Sequence, residues 1–316
     1  MLCRRRNLMF LVPLVLFAAS GANCRPMVHQ PPNMPRQLPA QPTIEQVVDV
    51  VNRNSMGIQS FSTNRATLRV SGSPSIPATI AMHRPGRFRL RADTALSAGP
   101  ELDLGSNDAL FWFWYRGDAG NVYFCPHDRF ATSEAARVVP IAPAELIDAM
   151  GLATLDPAMP HQGPFTRPDG MLEIRTIRDT IDGPITKITV VHPYGWIVEQ
   201  HFQNASGQTV FRASGQQHRR DPASGLIMPR IVDVDCPPSG FRMRIDLGNV
   251  DINTVPDGPL ALWEMPQYAG ARLVDLSDPN LRFQQTSASR VVAPPVATGT
   301  ATAAPTSGPA WRQLSR

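Results

Sequence analysis

The residues of this 316-residue chain best placed to do chemistry are its cysteines, a pair of closely spaced acids and a few histidines. Cys24 follows Gly21, Ala22 and Asn23, just beyond an apolar run from Leu8 to Ala19. Small residues before a cysteine suit a lipobox, in which the thiol takes a diacylglycerol and becomes the new N-terminus. Asn23 fits that pattern poorly. The other reading is ordinary cleavage after Ala22, leaving a soluble protein with an unmodified Cys24. Either cleavage removes Cys3 and leaves Cys24, Cys125 and Cys236. With Cys24 acylated, the other two form an even remainder, and in an oxidising compartment they would pair as a disulfide or stay as two buried thiols. Cys125-Pro126-His127 is a lone Cys/His pair without the repeated spacing of a metal site, so no metal or other cofactor is expected.

No catalytic constellation emerges. The chain has no Gly-x-Ser-x-Gly elbow, no His-Glu-x-x-His helix and no glycine-rich phosphate loop ahead of a helix. His192, His201 and His218 fall in or at the ends of strand-like runs, where a solvated or hydrogen-bonded imidazole is the plain account. Asp233 and Asp235 alternate with Val232 and Val234, which puts both acids on one polar strand face rather than in an acid/base pair. The chain therefore reads as a non-enzyme. Its basic balance, pI about 9.2 and net charge +4, comes from arginine, with Lys187 the only lysine. No basic patch follows the first residues, and nucleic-acid binding is not expected.

The elements that must position these residues follow from patterning. Arg4, Arg5 and Arg6, the apolar run and the small residues up to Ala22 have the layout of a signal peptide over residues 1–23. The run is too short for a comfortable membrane span, and Pro13 interrupts it. Residues 24–42 are proline-rich and read as an extended tether after the anchor cysteine. Residues 276–316 are rich in Ala, Pro, Thr and Ser and bury too little apolar surface to offset chain entropy, so a disordered tail is expected. Between them, residues 43–275 are long enough for one sizeable core.

That block opens with Thr43 and Gln46 at capping-box spacing, followed by Ile44, Val47, Val48 and Val51 at helical spacing and Gly57 as a stop. Period-two runs come next: Ala66–Val70, Thr79–His83, Phe88–Ala92, Leu102–Leu104, Leu110–Tyr115 and Val122–Cys125. Pro143–Gly151 predicts a short helix with proline at its start and glycine at its end. A proline-rich loop is expected from Asp156 to Pro168. Strands resume over 171–177, 185–192, 196–204, 209–217, 227–235 and 241–247. Antiparallel runs broken by segregated helices predict an α+β domain of about 11–12 strands and two or three helices.

Specific stretches carry a family resemblance. Tyr194-Gly-Trp-Ile-Val-Glu-Gln200, the hairpin Asn204-Ala-Ser-Gly207, Met228-Pro-Arg-Ile231 and the ending Met243-Arg-Ile-Asp-Leu-Gly-Asn-Val-Asp-Ile-Asn253 are similar to the last strands of the LolA/LolB/LppX group of bacterial envelope lipoprotein carriers. The signal peptide, capped helix and strand meander share that group's layout, and the resemblance covers about residues 43–265. It implies a curved antiparallel half-barrel sheet closed by the helices, with an apolar cavity for acyl chains.

On that reading the cavity candidates are Leu90, Leu102, Leu104, Phe111, Trp112, Phe113, Trp114, Trp196 and Phe211. Each aromatic also suits an ordinary sheet core. The tether and tail depart from the group's soluble carriers and suit a resident binder more than a shuttle. The expected function is a membrane-anchored envelope lipoprotein that binds lipid or acylated protein, including the acyl chains of lipoproteins, in an apolar half-barrel cavity, with a role in lipoprotein or lipid transport. The alternative is a non-transporting binding or sensing module for a protein partner. By family analogy, Arg25 after the anchor cysteine implies the outer membrane, facing the periplasm.

Overall fold

The computed structural model describes residues 36–94, 99–130, 133, 141, 143–180, 183–258 and 260–281. The signal segment, Cys24, most of the tether and the tail beyond residue 281 lie outside them. No helix among the described residues is long and apolar enough to cross a membrane.

Helix α1 (Ile44–Gly57) starts as its sequence dictates. The Thr43 hydroxyl accepts from the Gln46 amide at 3.4 Å, and the Gln46 side chain accepts from the Thr43 amide at 3.0 Å. This reciprocal box satisfies two otherwise orphaned donors. The buried stripe Val47, Val48, Val51 packs on Leu155, Leu172, Ile174, Val191 and Ile197.

Among the described residues, seventeen strands follow. They are β1 (Ser60–Val70), β2 (Ile76–His83), β3 (Arg87–Asp93), β4 (Pro100–Ser106), β5 (Leu110–Tyr115), β6 (Asn121–Pro126), β7 (His161–Thr166), β8 (Leu172–Thr180), β9 (Gly183–Val191), β10 (Ile197–Gln203), β11 (Thr209–Gln216), β12 (Arg219–Arg220), β13 (Ile227–Met228), β14 (Ile231–Cys236), β15 (Phe241–Asp246), β16 (Asp251–Ile252) and β17 (Arg272–Asp275). Fifteen of them form one sheet in the order β17-β6-β5-β4-β3-β2-β1-β15-β14-β11-β10-β9-β8-β7, with β16 beside β1. Every pairing in it is antiparallel except β17 on β6. The sheet is open, with β17 and β7 at its two edges.

The α+β class and the open antiparallel sheet follow the sequence, but the expected 11–12 strands are too few. The additional strands are mostly ones that patterning cannot reveal. β12, β13 and β16 have two residues each, and β17 has four. β7 carries Gly163 and Pro164 inside the stretch expected as a loop. A proline is tolerated there because β7 is an edge strand with one unpaired side.

Register sorts the side chains into two faces. One face, called inner here, carries Leu68, Ile245 and Val232 in one row, and Ile80, Leu90, Leu104 and Phe113 in another. Its filling comes from helix α2 (Pro143–Ile147) and the π-helical turn Asp148–Leu152. Leu146, Ile147, Met150 and Leu152 sit among Ile80, Leu90, Phe211 and Ile245 in the main core. Gly151 closes the turn at φ +84°, a conformation that favours glycine.

Candidate functional site

The inner face was the expected ligand surface, and its described residues are largely filled by the protein's own side chains. Leu90 is fully buried in the main core, and Phe211 packs there against Phe202 with ring centroids 5.0 Å apart. Phe111 and Phe113 belong to a second cluster with Tyr115, Tyr123, Cys125 and Leu276, and Leu102 and Leu104 bridge the two.

Open space remains at one end. A cleft of about 420 Å³ lies where β1, β2, β4 and β5 come together. Leu68, Val70, Ile76, Leu102 and Tyr115 supply its apolar wall. Thr94, Glu101 and Arg116 supply its polar rim. The rim is held in place: Arg116 Nε donates to Glu101 at 2.9 Å, and its Nη2 donates to the carbonyls of Gly99 and Pro100 at 2.9 and 3.0 Å. A few fixed polar groups around an apolar recess is the usual construction of a small-molecule site.

The nine expected cavity residues therefore separate. Leu102 lines the cleft, and Leu104 packs beside it in the core. Leu90, Phe111, Phe113 and Phe211 are core residues of the same face. Trp112 and Trp114 are not on that face, because a strand sends successive side chains to opposite sides. They form an outer-face cluster with Val122, Met265, Tyr268 and Ala271. Trp114 stacks on Tyr268 at 4.3 Å, and Arg89 lies 5.2 Å from the Trp112 ring. Trp196 lies at the β9–β10 turn, stacked on His192 at 4.5 Å. Leu68, Val70, Ile76 and Tyr115 were missed as wall residues. Period-two patterning puts them on the correct face but does not show which end stays uncovered.

The thiols are not joined. Cys125 and Cys236 are both buried without a disulfide. Of the two readings open from the sequence, the structure has the two buried thiols, because the strands carry them into different clusters. Burial raises both pKa values, Cys236 to about 12. Both thiols are thus kept in the unreactive form. Asp233 and Asp235 share the outer face with Arg244 and Arg242, as ion pairs at 3.0 and 3.4 Å. His218 is pushed down to about 4 by burial, which outweighs its bond to the Ile197 carbonyl. His201 lies 3.3 Å from Glu199 and holds that carboxylate below its ordinary pKa. Among the described residues, no three His, Cys, Asp or Glu side chains converge as a metal set.

No family model and no curated protein sequence matches the chain. Solved structures are similar to it in layout. A DUF1329 family protein from Desulfovibrio piger is 12% identical, with a TM-score of 0.46, over 70% of this chain and 97% of its own. A putative outer membrane lipoprotein-sorting protein domain from Vibrio parahaemolyticus is 9% identical, with a TM-score of 0.46, over 67% and 94%. A LolA superfamily protein from Nitrosomonas europaea is 11% identical, with a TM-score of 0.43, over 68% and 95%. At these scores the likeness carries no argument about what the chain binds.

Proposed function

We propose that this chain is an envelope lipoprotein that binds the apolar chain of a lipid or of an acylated protein, with the end cleft as the receiving site. The observation that carries the reading is the cleft itself, an apolar recess of about 420 Å³ beside the core of the inner sheet face. Its volume falls in the ordinary range of ligand pockets, roughly 300–1,000 Å³. Each chain methylene moved from water into it contributes about 0.8 kcal/mol. In this reading α1 and residues 143–152 close the rest of the half-barrel. Cys24, once acylated, fixes the protein to the outer membrane facing the periplasm, and the tether lets the domain stand away from it. The binding step requires no catalysis and no cofactor.

The test is organic-solvent extraction of the purified protein followed by mass spectrometry, paired with titration of a fluorescent fatty acid. A co-purifying lipid and saturable probe binding are the expected results. An empty extract with no probe binding contradicts the reading.

A second reading has its own support. The main core is filled by Leu90, Met150, Phe211 and their neighbours, so the described inner face leaves little room for several chains. A module that recognises a protein partner without transporting lipid would have such an interior. A stoichiometric protein partner recovered from envelope extract, with no lipid, favours it.

A further inference from the structure

The outer face of the central strands carries an arrangement that neither the core nor the cleft explains. One register row crosses β1, β15, β14 and β11, and a second crosses β15, β14 and β11. The first places Arg69 opposite Arg244, Arg244 opposite Asp233, and Asp233 opposite Ser214. The second places Arg242 opposite Asp235 and Asp235 opposite Arg212. Together they line a groove of about 460 Å³ with four guanidinium groups and two carboxylates. Three of the arginines have partners: Arg244 on Asp233 at 3.0 Å, Arg242 on Asp235 at 3.4 Å, and Arg212 on Glu199 at 3.0 Å. The Arg69 side chain makes no hydrogen bond or ion pair with any described residue, although it directly faces another arginine. Like charges opposite each other in a sheet are destabilising. An anion between them would turn the repulsion into two charge-assisted contacts.

We infer that this groove binds a phosphate monoester, held between the guanidinium groups of Arg69 and Arg244. The planar guanidinium fork matches phosphate oxygens two at a time. A phosphomonoester carries about −1.5 to −2 charge at neutral pH, which suits a site where Arg69 is unmatched and Arg244 shares its charge with Asp233. A flat anionic membrane fits less well. Asp233 and Asp235 are exposed by 32% and 38% and would face it, whereas a recess admits a discrete group between them. The charged side chains of the groove lie on the opposite sheet face from the apolar wall of the cleft, although the two recesses share Val70 and Ser73, and the inference does not rest on lipid binding.

Calorimetric titration of the purified chain with glycerol phosphate tests the inference, with acetate and phosphatidate-containing vesicles as parallel arms. Wild type is expected to bind glycerol phosphate in preference to acetate. Arg69→Gln should weaken binding by about tenfold or more, which corresponds to about 1.4 kcal/mol. Arg69→Lys should fall between them, keeping the charge but losing the fork. Asp233→Asn should bind more tightly, because it releases Arg244 from its ion pair. Far-UV circular dichroism confirms that each variant is folded, and Arg244→Gln serves in place of any Arg69 variant that is not. The inference is overturned if wild type does not bind glycerol phosphate, binds acetate equally well or binds only the vesicles. It is also overturned if Arg69→Gln binds as wild type does.

Discussion

Gly105 on β4 and Trp112 on β5 stand directly opposite each other, and the Trp112 indole lies in the space that a side chain at residue 105 would need. The absence of a side chain at Gly105 lets the ring lie flat on the outer face beneath Arg89. Gly105→Ala should therefore destabilise the protein by overpacking, by about 1–3 kcal/mol. Urea denaturation measures this, and an unchanged midpoint would show that the ring can shift without cost.

The outer-face cover at residues 260–271 is tied to the sheet by a buried charge. Asp103 is fully buried and accepts from Arg89 Nη2 and from the Tyr268 hydroxyl, each at 2.6 Å. Removing one partner of a buried ion pair strands the other, so Asp103→Ala should cost about 3–5 kcal/mol. Tyr268→Phe should cost less, about 1–2 kcal/mol, since the Arg89 contact survives. Denaturation curves for the two variants give the ranking, and equal losses would contradict it.

His218 gives a pH dependence with a definite sign. Its folded-state pKa is about 4, against an ordinary value of 6.5. Above pH 6.5 both states are neutral and the contribution is fully present. Between pH 6.5 and 4 the unfolded chain takes up a proton that the folded ring refuses, so stability falls as pH falls. Below pH 4 the loss is complete. Because the ring keeps some exposure, the expected loss is about 1–2 kcal/mol. Thermal melts from pH 4 to 7 should show this slope in wild type and a shallower one in His218→Gln.

The two thiols should behave as buried groups. Native protein at neutral pH should leave Cys125 and Cys236 unlabelled by iodoacetamide, whereas denatured protein should label both. Reduced and unreduced samples should migrate identically on a denaturing gel. Rapid native labelling would place at least one thiol at the surface.

Legibility from the sequence differed between elements for physical reasons. The α1 start was readable because Thr43 and Gln46 act locally, within one helical turn. The strands carrying Leu68, Leu90 and Leu104 were readable because alternation is a local signal too. The destinations of Trp112 and Trp114 were not, because what covers them comes from Met265 and Tyr268, about 150 positions further along the chain. Strand β7 escaped because Gly163 and Pro164 read as loop residues and only an edge position admits them. Of the five residues in the apolar wall of the cleft, Leu102 was singled out, whereas Val70 and Ile76 were indistinguishable from core residues.

The cleft is the centre of this account, and Leu102 is the residue to probe. Titration of a fluorescent fatty acid into wild type and into Leu102→Glu, with both shown to be folded by circular dichroism, tests it most directly. A carboxylate in the apolar wall should weaken saturable binding by at least about tenfold, through the cost of burying an unpaired charge. Equal affinity in the two proteins, or no binding to wild type, would contradict the cleft as an acyl-chain site.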